Sequence, residues 1–193
     1  MKEFICIFLG ALALCSCKQK KADLQSPVKV EVVEPVSFFP VTNFIKGQIA
    51  DLKTSGINPI KYIITGAKKD SSWLSIADFD KEFSPFLHPE IDTLNMVELF
   101  TEKKFLDQSI NAYTFTYDAK KTLPDTMQLT HWDVYINPQE GKVQRIYMVK
   151  KISANIQQQL TWQAGEWCKI INIKENTDGS FAVQNEEQIL WKF

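Results

Sequence analysis

Gln159-Leu160-Thr161-Trp162-Gln163-Ala164-Gly165-Glu166-Trp167-Cys168-Lys169-Ile170-Ile171 is the stretch that decides the fold. Apolar and polar residues alternate from Gln159 to Gln163, the period of a strand with one buried face. Ala164-Gly165 interrupts the pattern as a two-residue turn, and a second strand follows. This reading sets Trp162 opposite Trp167, with Leu160, Ile171 and Ile173 on the same face. An aromatic cross-strand pair of that kind contributes about 0.2–1 kcal/mol.

Further strands lie on both sides of this hairpin. Gln128 to Ile136 and Lys142 to Lys151 flank Asn137-Pro138-Gln139-Glu140-Gly141, a turn by composition. Its register stays open, because Gly141 also fits a bulge. Ile110 to Tyr117 sets Tyr113, Phe115 and Tyr117 against Ala112, Thr114 and Thr116. Asn176-Thr177-Asp178-Gly179 is another turn, and Ile189, Trp191 and Phe193 recur at period two. Before about Val97 the period is mostly helical. Val41, Phe44, Ile45, Ile49 and Leu52 share one helix face, and Gly56 lies just past its end. Ser75-Ile76-Ala77-Asp78 has the form of a capping box. It opens a helix with Ile76, Phe79, Phe83 and Leu87 on one face, stopping near Pro89. Ile60 to Thr65 reads as a short apolar strand between the two.

Helices followed by a meander predict the α+β class: N-terminal helices packed on a curved antiparallel β-sheet formed mainly by the C-terminal half. This order resembles that of cystatin-like and nuclear-transport-factor-like folds, a likeness of architecture that implies no function.

The first residues read differently. Phe4 to Leu14 is an apolar run of signal-peptide length, too short to span about 30 Å of hydrocarbon as a helix. Leu14-Cys15-Ser16-Cys17 follows. This quartet resembles the lipobox of bacterial lipoproteins, with an aliphatic residue at −3, a small one at −1 and cysteine at +1. The resemblance implies cleavage before Cys17 and diacylglycerol on its sulfur. Cys15 is the poorer acceptor, since Leu14 would occupy its −1 position. Several acyl chains make such anchoring stable, at about 0.8 kcal/mol per buried CH₂. The predicted organisation is a signal peptide at 1–16, a lipidated tether with a first edge strand at Val28–Val32 within 17–37, and one domain at 38–193. Lys18 at +2 favours the outer membrane by the enteric sorting rule. The acidic run of surface-exported Bacteroidota lipoproteins does not follow the cysteine, so the expected placement faces the periplasm.

Composition limits the chemistry. There are 22 basic and 23 acidic residues, a net charge of −1. No basic excess is present to neutralise phosphates, so general nucleic-acid binding is not expected. Of four cysteines, only Cys168 lies beyond the leader region. It reads as a small buried apolar side chain.

Catalytic motifs are scarce. No G-x-S-x-G, H-E-x-x-H, phosphate-binding glycine loop or C-x-x-C occurs, and no cofactor or metal is expected. His88, Glu90 and Asp92 make a weak metal pattern, and a histidine closing a helix is favoured by the helix dipole alone. His131 and Asp133 alternate on one strand and so share a face, where an imidazole beside a carboxylate has the parts of a general base. Trp132, between them, is the aromatic whose face the open register leaves undecided. These three are the candidate ligand or partner contacts. Trp162 and Trp191 fall with core aliphatics.

The sequence therefore predicts a lipid-anchored cell-envelope protein with a non-catalytic binding or assembly domain. Its partners would be the membrane, through Cys17, and an envelope protein or glycan. The alternatives are an envelope hydrolase acting on carbohydrate or peptide, and a carrier of an apolar ligand. A deep cleft joining His131 and Asp133 to a third polar group would favour the first, and a large apolar cavity the second.

Overall fold

The computed structural model describes residues 37–192. The leader, Cys17, Val28–Val32 and Phe193 lie outside the described residues. Helix α1 (Val41–Thr54) is followed by β1 (Ile60–Thr65), β2 (Lys68–Trp73), a 3-10 turn (Ile76–Asp78) and α2 (Phe79–Leu87). The strands β3 (Phe100–Asp107), β4 (Ala112–Ala119), β5 (Leu129–Ile136), β6 (Val143–Ser153), β7 (Ile156–Gln163), β8 (Trp167–Glu175) and β9 (Phe181–Leu190) complete the chain.

All the strands join one nine-stranded sheet in the order β2-β1-β9-β8-β7-β6-β5-β4-β3, antiparallel at every pairing. The fold is largely β, with two short helices. The expected antiparallel meander forms from Phe100 onward, and the expected strand Ile60–Thr65 becomes part of a hairpin that the sequence pattern does not place in the sheet. The β1–β2 hairpin stands between the helices in sequence and attaches along β9, so the sheet draws on both ends of the domain. Strand β2, Lys-Lys-Asp-Ser-Ser-Trp, has no buried face and hence no period-two apolar signal. Backbone pairing to β1 holds it at the edge.

The decisive hairpin forms, but one residue out of the expected register. Trp162 pairs with Cys168, and Gln163 with Trp167. The loop has three residues, because Gly165 adopts a left-handed conformation (φ 73°) and the Glu166 N–H donates to the Gln163 carbonyl at 3.1 Å. Three-residue loops of this kind are common in hairpins when glycine supplies the positive φ. A slip of one flips every side chain of the second strand. Cys168 and Ile170 therefore join Leu160 and Trp162 in the core, while Trp167, Ile171 and Ile173 take the opposite face.

Helix α2 turns the expected Phe79 and Phe83 inward, with Leu87 packed at the edge of the core, but it begins later than expected and adds Phe86. Ser75 Oγ accepts from the Ala77 N–H at 3.3 Å, but the cap serves the 3-10 turn, and the α-helix starts at Phe79. Phe79, Phe83 and Phe86 are buried, at i, i+4 and i+7, whereas Ile76 is exposed. The rings of Phe83 and Phe86 lie 5.5 and 5.3 Å from Trp162 of β7. Trp191 lies 5.2 Å from Trp162 in the same cluster. Cys168 is buried there too, and burial pushes its thiol pKa well up.

Two lysines reach α2 from strands. Lys61 of β1 pairs with Glu82 at 2.5 Å and with Glu187 of β9 at 2.8 Å. Glu187 is thereby half-buried and paired. Lys150 of β6 is 4% exposed and donates to the carbonyls of Pro85 and His88, where α2 ends. Burial lowers its pKa to about 8.

Candidate functional site

Strands β4 and β5 are joined by residues 120–128, and their register sets Asp118 opposite His131 and Thr116 opposite Asp133. Paired residues project to the same side of a sheet. The four polar side chains consequently meet on the face away from the buried aromatics. His131 Nδ1 lies 3.0 Å from Asp118 Oδ1, and Nε2 lies 3.1 Å from Asp133 Oδ2. Thr116 Oγ1 donates to Asp133 Oδ1 at 2.7 Å, and the Tyr135 hydroxyl donates to Asp133 Oδ2 at 3.1 Å. Lys103 of β3 closes the chain of contacts on Asp118 at 2.9 Å.

The charges reinforce one another. The Asp133 carboxylate bonded to its ring raises the pKa of His131, against the opposing effect of burial, and Asp118 adds to the rise. Burial pushes Asp133 up, but the bonds from His131, Thr116 and Tyr135 outweigh it and its pKa falls. Lys103, then His131, lowers Asp118. Burial and the neighbouring Asp133 charge carry Tyr135 up to about 12, and burial with the same charge raises Tyr147.

This geometry decides the chemistry. A carboxylate stands at each ring nitrogen, which favours the imidazolium form, in which both N–H groups donate. A general base needs a lone pair facing its substrate. Both nitrogens of His131 are already committed, and Asp133 accepts three hydrogen bonds. The arrangement is an ionic clamp across β4 and β5.

The structure brings His131 and Asp133 together and separates Trp132 from them. Trp132 has no exposed surface and stacks on Tyr117, with Phe100 edge-on at 4.6 Å. Asp118, Thr116 and Lys103 complete the clamp and are the residues that sequence reasoning misses. Alternation in β4 puts Thr116 and Asp118 on one face, but only the pairing across residues 120–128 reveals their partner strand. His88 caps α2 in extended conformation; Glu90 pairs with Lys46, and Asp92 accepts the Leu94 and Asn95 N–H groups. Among the described residues no group of three or more His, Cys, Asp or Glu is placed to hold a metal ion.

Surface depressions lie elsewhere. One of ≈ 780 Å³ runs between Phe44 and the turns at Asn137 and Gly165, and another of ≈ 650 Å³ lies beside Pro124 and Ile152. His131 and Asp133 line neither. No described helix is long and apolar enough to cross a membrane. Comparison with protein-family models, with curated proteins and with solved structures finds no match to this chain.

Proposed function

We propose that this is a lipid-anchored cell-envelope protein whose folded domain is a non-catalytic binding or assembly module. In this reading the helices cover one face of a curved sheet, and the opposite face meets the partner. Acyl chains on Cys17 hold the protein at the outer membrane, facing the periplasm. The anchor rests on Leu14-Cys15-Ser16-Cys17 and the apolar run before it.

The observation that carries the non-catalytic reading is the saturated His131, with 3.0 and 3.1 Å bonds to two carboxylates. A sheet face that engages both ring nitrogens of its histidine supports recognition better than proton transfer. Fully buried Trp132 and Trp162 fill the space that a carrier would keep for its cargo.

Two measurements test this. Cys17→Ser should leave the protein unprocessed or release it from membranes, and continued acylation would overturn the anchor. Incubation with envelope polysaccharides and peptides should yield no products; hydrolysis abolished by His131→Ala would overturn the binding module.

A further inference from the structure

The sheet ends in two edges, and they differ. Among the described residues nothing pairs with the outer side of β2 or of β3. An uncovered edge offers unpaired N–H and C=O groups to any strand that fits it, and proteins guard such edges with charge. Strand β2 is guarded. Its Lys68 and Lys69 have no carboxylate partner among the described residues, and Lys69 lies instead 4.4 Å from the Tyr62 ring centroid. Strand β3 is longer, eight residues against six, and its lysines are neutralised. Lys104 pairs with Glu102 at 2.7 Å, and Lys103 with Asp118 at 2.9 Å. Apolar surface gathers where β3 turns into β4: Phe105, Leu106, Ile110 and Tyr113 are each between 44% and 50% exposed. Apolar exposure collected in one place marks an interaction site.

The residues of β3 select the occupant of its edge. Phe100-Thr101-Glu102-Lys103-Lys104-Phe105-Leu106 is self-complementary when laid antiparallel on itself about Lys103. Leu106 of a second copy then stands opposite Phe100, Phe105 opposite Thr101, and Lys104 opposite Glu102, each pairing occurring twice. Facing residues share a side of the sheet. The apolar and the charged pairs therefore fall on the core side with Tyr117, and Phe105 with Thr101 on the other. Lys103 meets its own copy at the centre, where the carboxylate of Asp118 offsets the repulsion. Neighbouring registers lose this match. Centring on Glu102 sets carboxylate against carboxylate, and centring on Lys104 sets ammonium against ammonium and Glu102 against Leu106. Like charges directly opposite are destabilising.

We propose that β3 pairs antiparallel with β3 of a second copy of this chain, joining two sheets into one across a two-fold axis. Edges of this length bury less than a standard interface, so the association depends on concentration. The pairing uses a strand edge and not the face that carries His131, so it stands or falls apart from the binding-module reading.

The test combines sedimentation equilibrium of the full chain in density-matched detergent with amine-reactive cross-linking of mixed isotopically light and heavy chains. The particle should pass from one chain to two as concentration rises, and light–heavy peptides should join Lys103 to Lys103. Phe105→Lys combined with Leu106→Lys should weaken association about tenfold or more, by replacing the apolar pairs with charge. Phe181→Lys, at an exposed position on β9, should leave it unchanged. Circular dichroism should show each variant folded, and the cross-link reads the unaltered chain. A monomer at every concentration overturns the proposal, whatever covers the edge. So does a dimer whose light–heavy links join Lys68 and Lys69 without Lys103, or one that survives the double β3 variant.

Discussion

Tyr117 and Trp132 stack face to face across β4 and β5, with ring centroids 4.5 Å apart and planes 9° from parallel. The Tyr117 hydroxyl donates to Glu102 at 2.7 Å and accepts the Phe39 N–H at 3.2 Å, so one side chain joins the core to two neighbouring segments. Burial, with the Glu102 bond, raises the phenol pKa and keeps it neutral. Tyr117→Phe preserves the stack and leaves the Phe39 N–H unpaired, which should cost about 1–2 kcal/mol. Trp132→Ala opens a cavity and should cost about 3–5 kcal/mol. Urea unfolding of both variants checks the order; equal losses would mean that the stack contributes nothing beyond the hydroxyl.

The His131 clamp predicts a band of stability between two titrations. Its pKa is raised in the folded state, so its contribution is complete below the ordinary imidazole pKa and is lost as pH rises through the folded value. Asp118 and Asp133 are lowered, so theirs is complete above the ordinary carboxylate pKa and is lost as pH falls through the folded values. His131→Gln should cost about 1–3 kcal/mol at pH 6 and progressively less above neutrality. Denaturation midpoints from pH 5 to 9 decide it, and a pH-independent loss would refute the clamp.

Lys150 has the opposite sign. Its folded pKa of about 8 lies below the ordinary lysine value, so between about pH 8 and 10.5 the unfolded chain binds more protons. Stability from this group therefore rises with pH across that window, by up to about 3 kcal/mol. Lys150→Met should abolish that rise. Comparing alkaline unfolding curves of the two proteins is sufficient, and identical slopes would show that the ammonium is not buried as described.

Gly165 should tolerate asparagine better than alanine. Nothing lies within 4 Å of an added Cβ, so the cost comes from the positive φ of 73° alone. Gly165→Ala should lose about 1 kcal/mol and Gly165→Asn less, since asparagine visits that region more readily. Thermal unfolding measures both; equal losses would point to a contact at that position instead.

Legibility in the sequence followed the strength of burial. Ile60–Thr65 has the same bounds in the structure as in its apolar run, and α1 buries Val41, Ile45, Ile49 and Leu52 as its period requires. Strand β2 is silent because neither face is buried. The Trp162 partner is missed by one position, because alternation fixes which residues share a strand face but leaves loop length to a single glycine dihedral. Within the site, period two alone places His131 beside Asp133. Asp118 is thirteen positions before His131, and its arrival depends on a pairing for which local pattern carries no record.

The attachment of β1 along β9 also governs the order of assembly. Ile60 pairs with Leu190, so β1 waits through about 130 further residues of synthesis for that neighbour. Until then the β1–β2 hairpin has only itself, and an isolated hairpin is marginal in water. Strands β4 to β9 each pair with the strand just before them, so they can zip in chain order, and the early hairpin can latch onto the meander only once β9 is made.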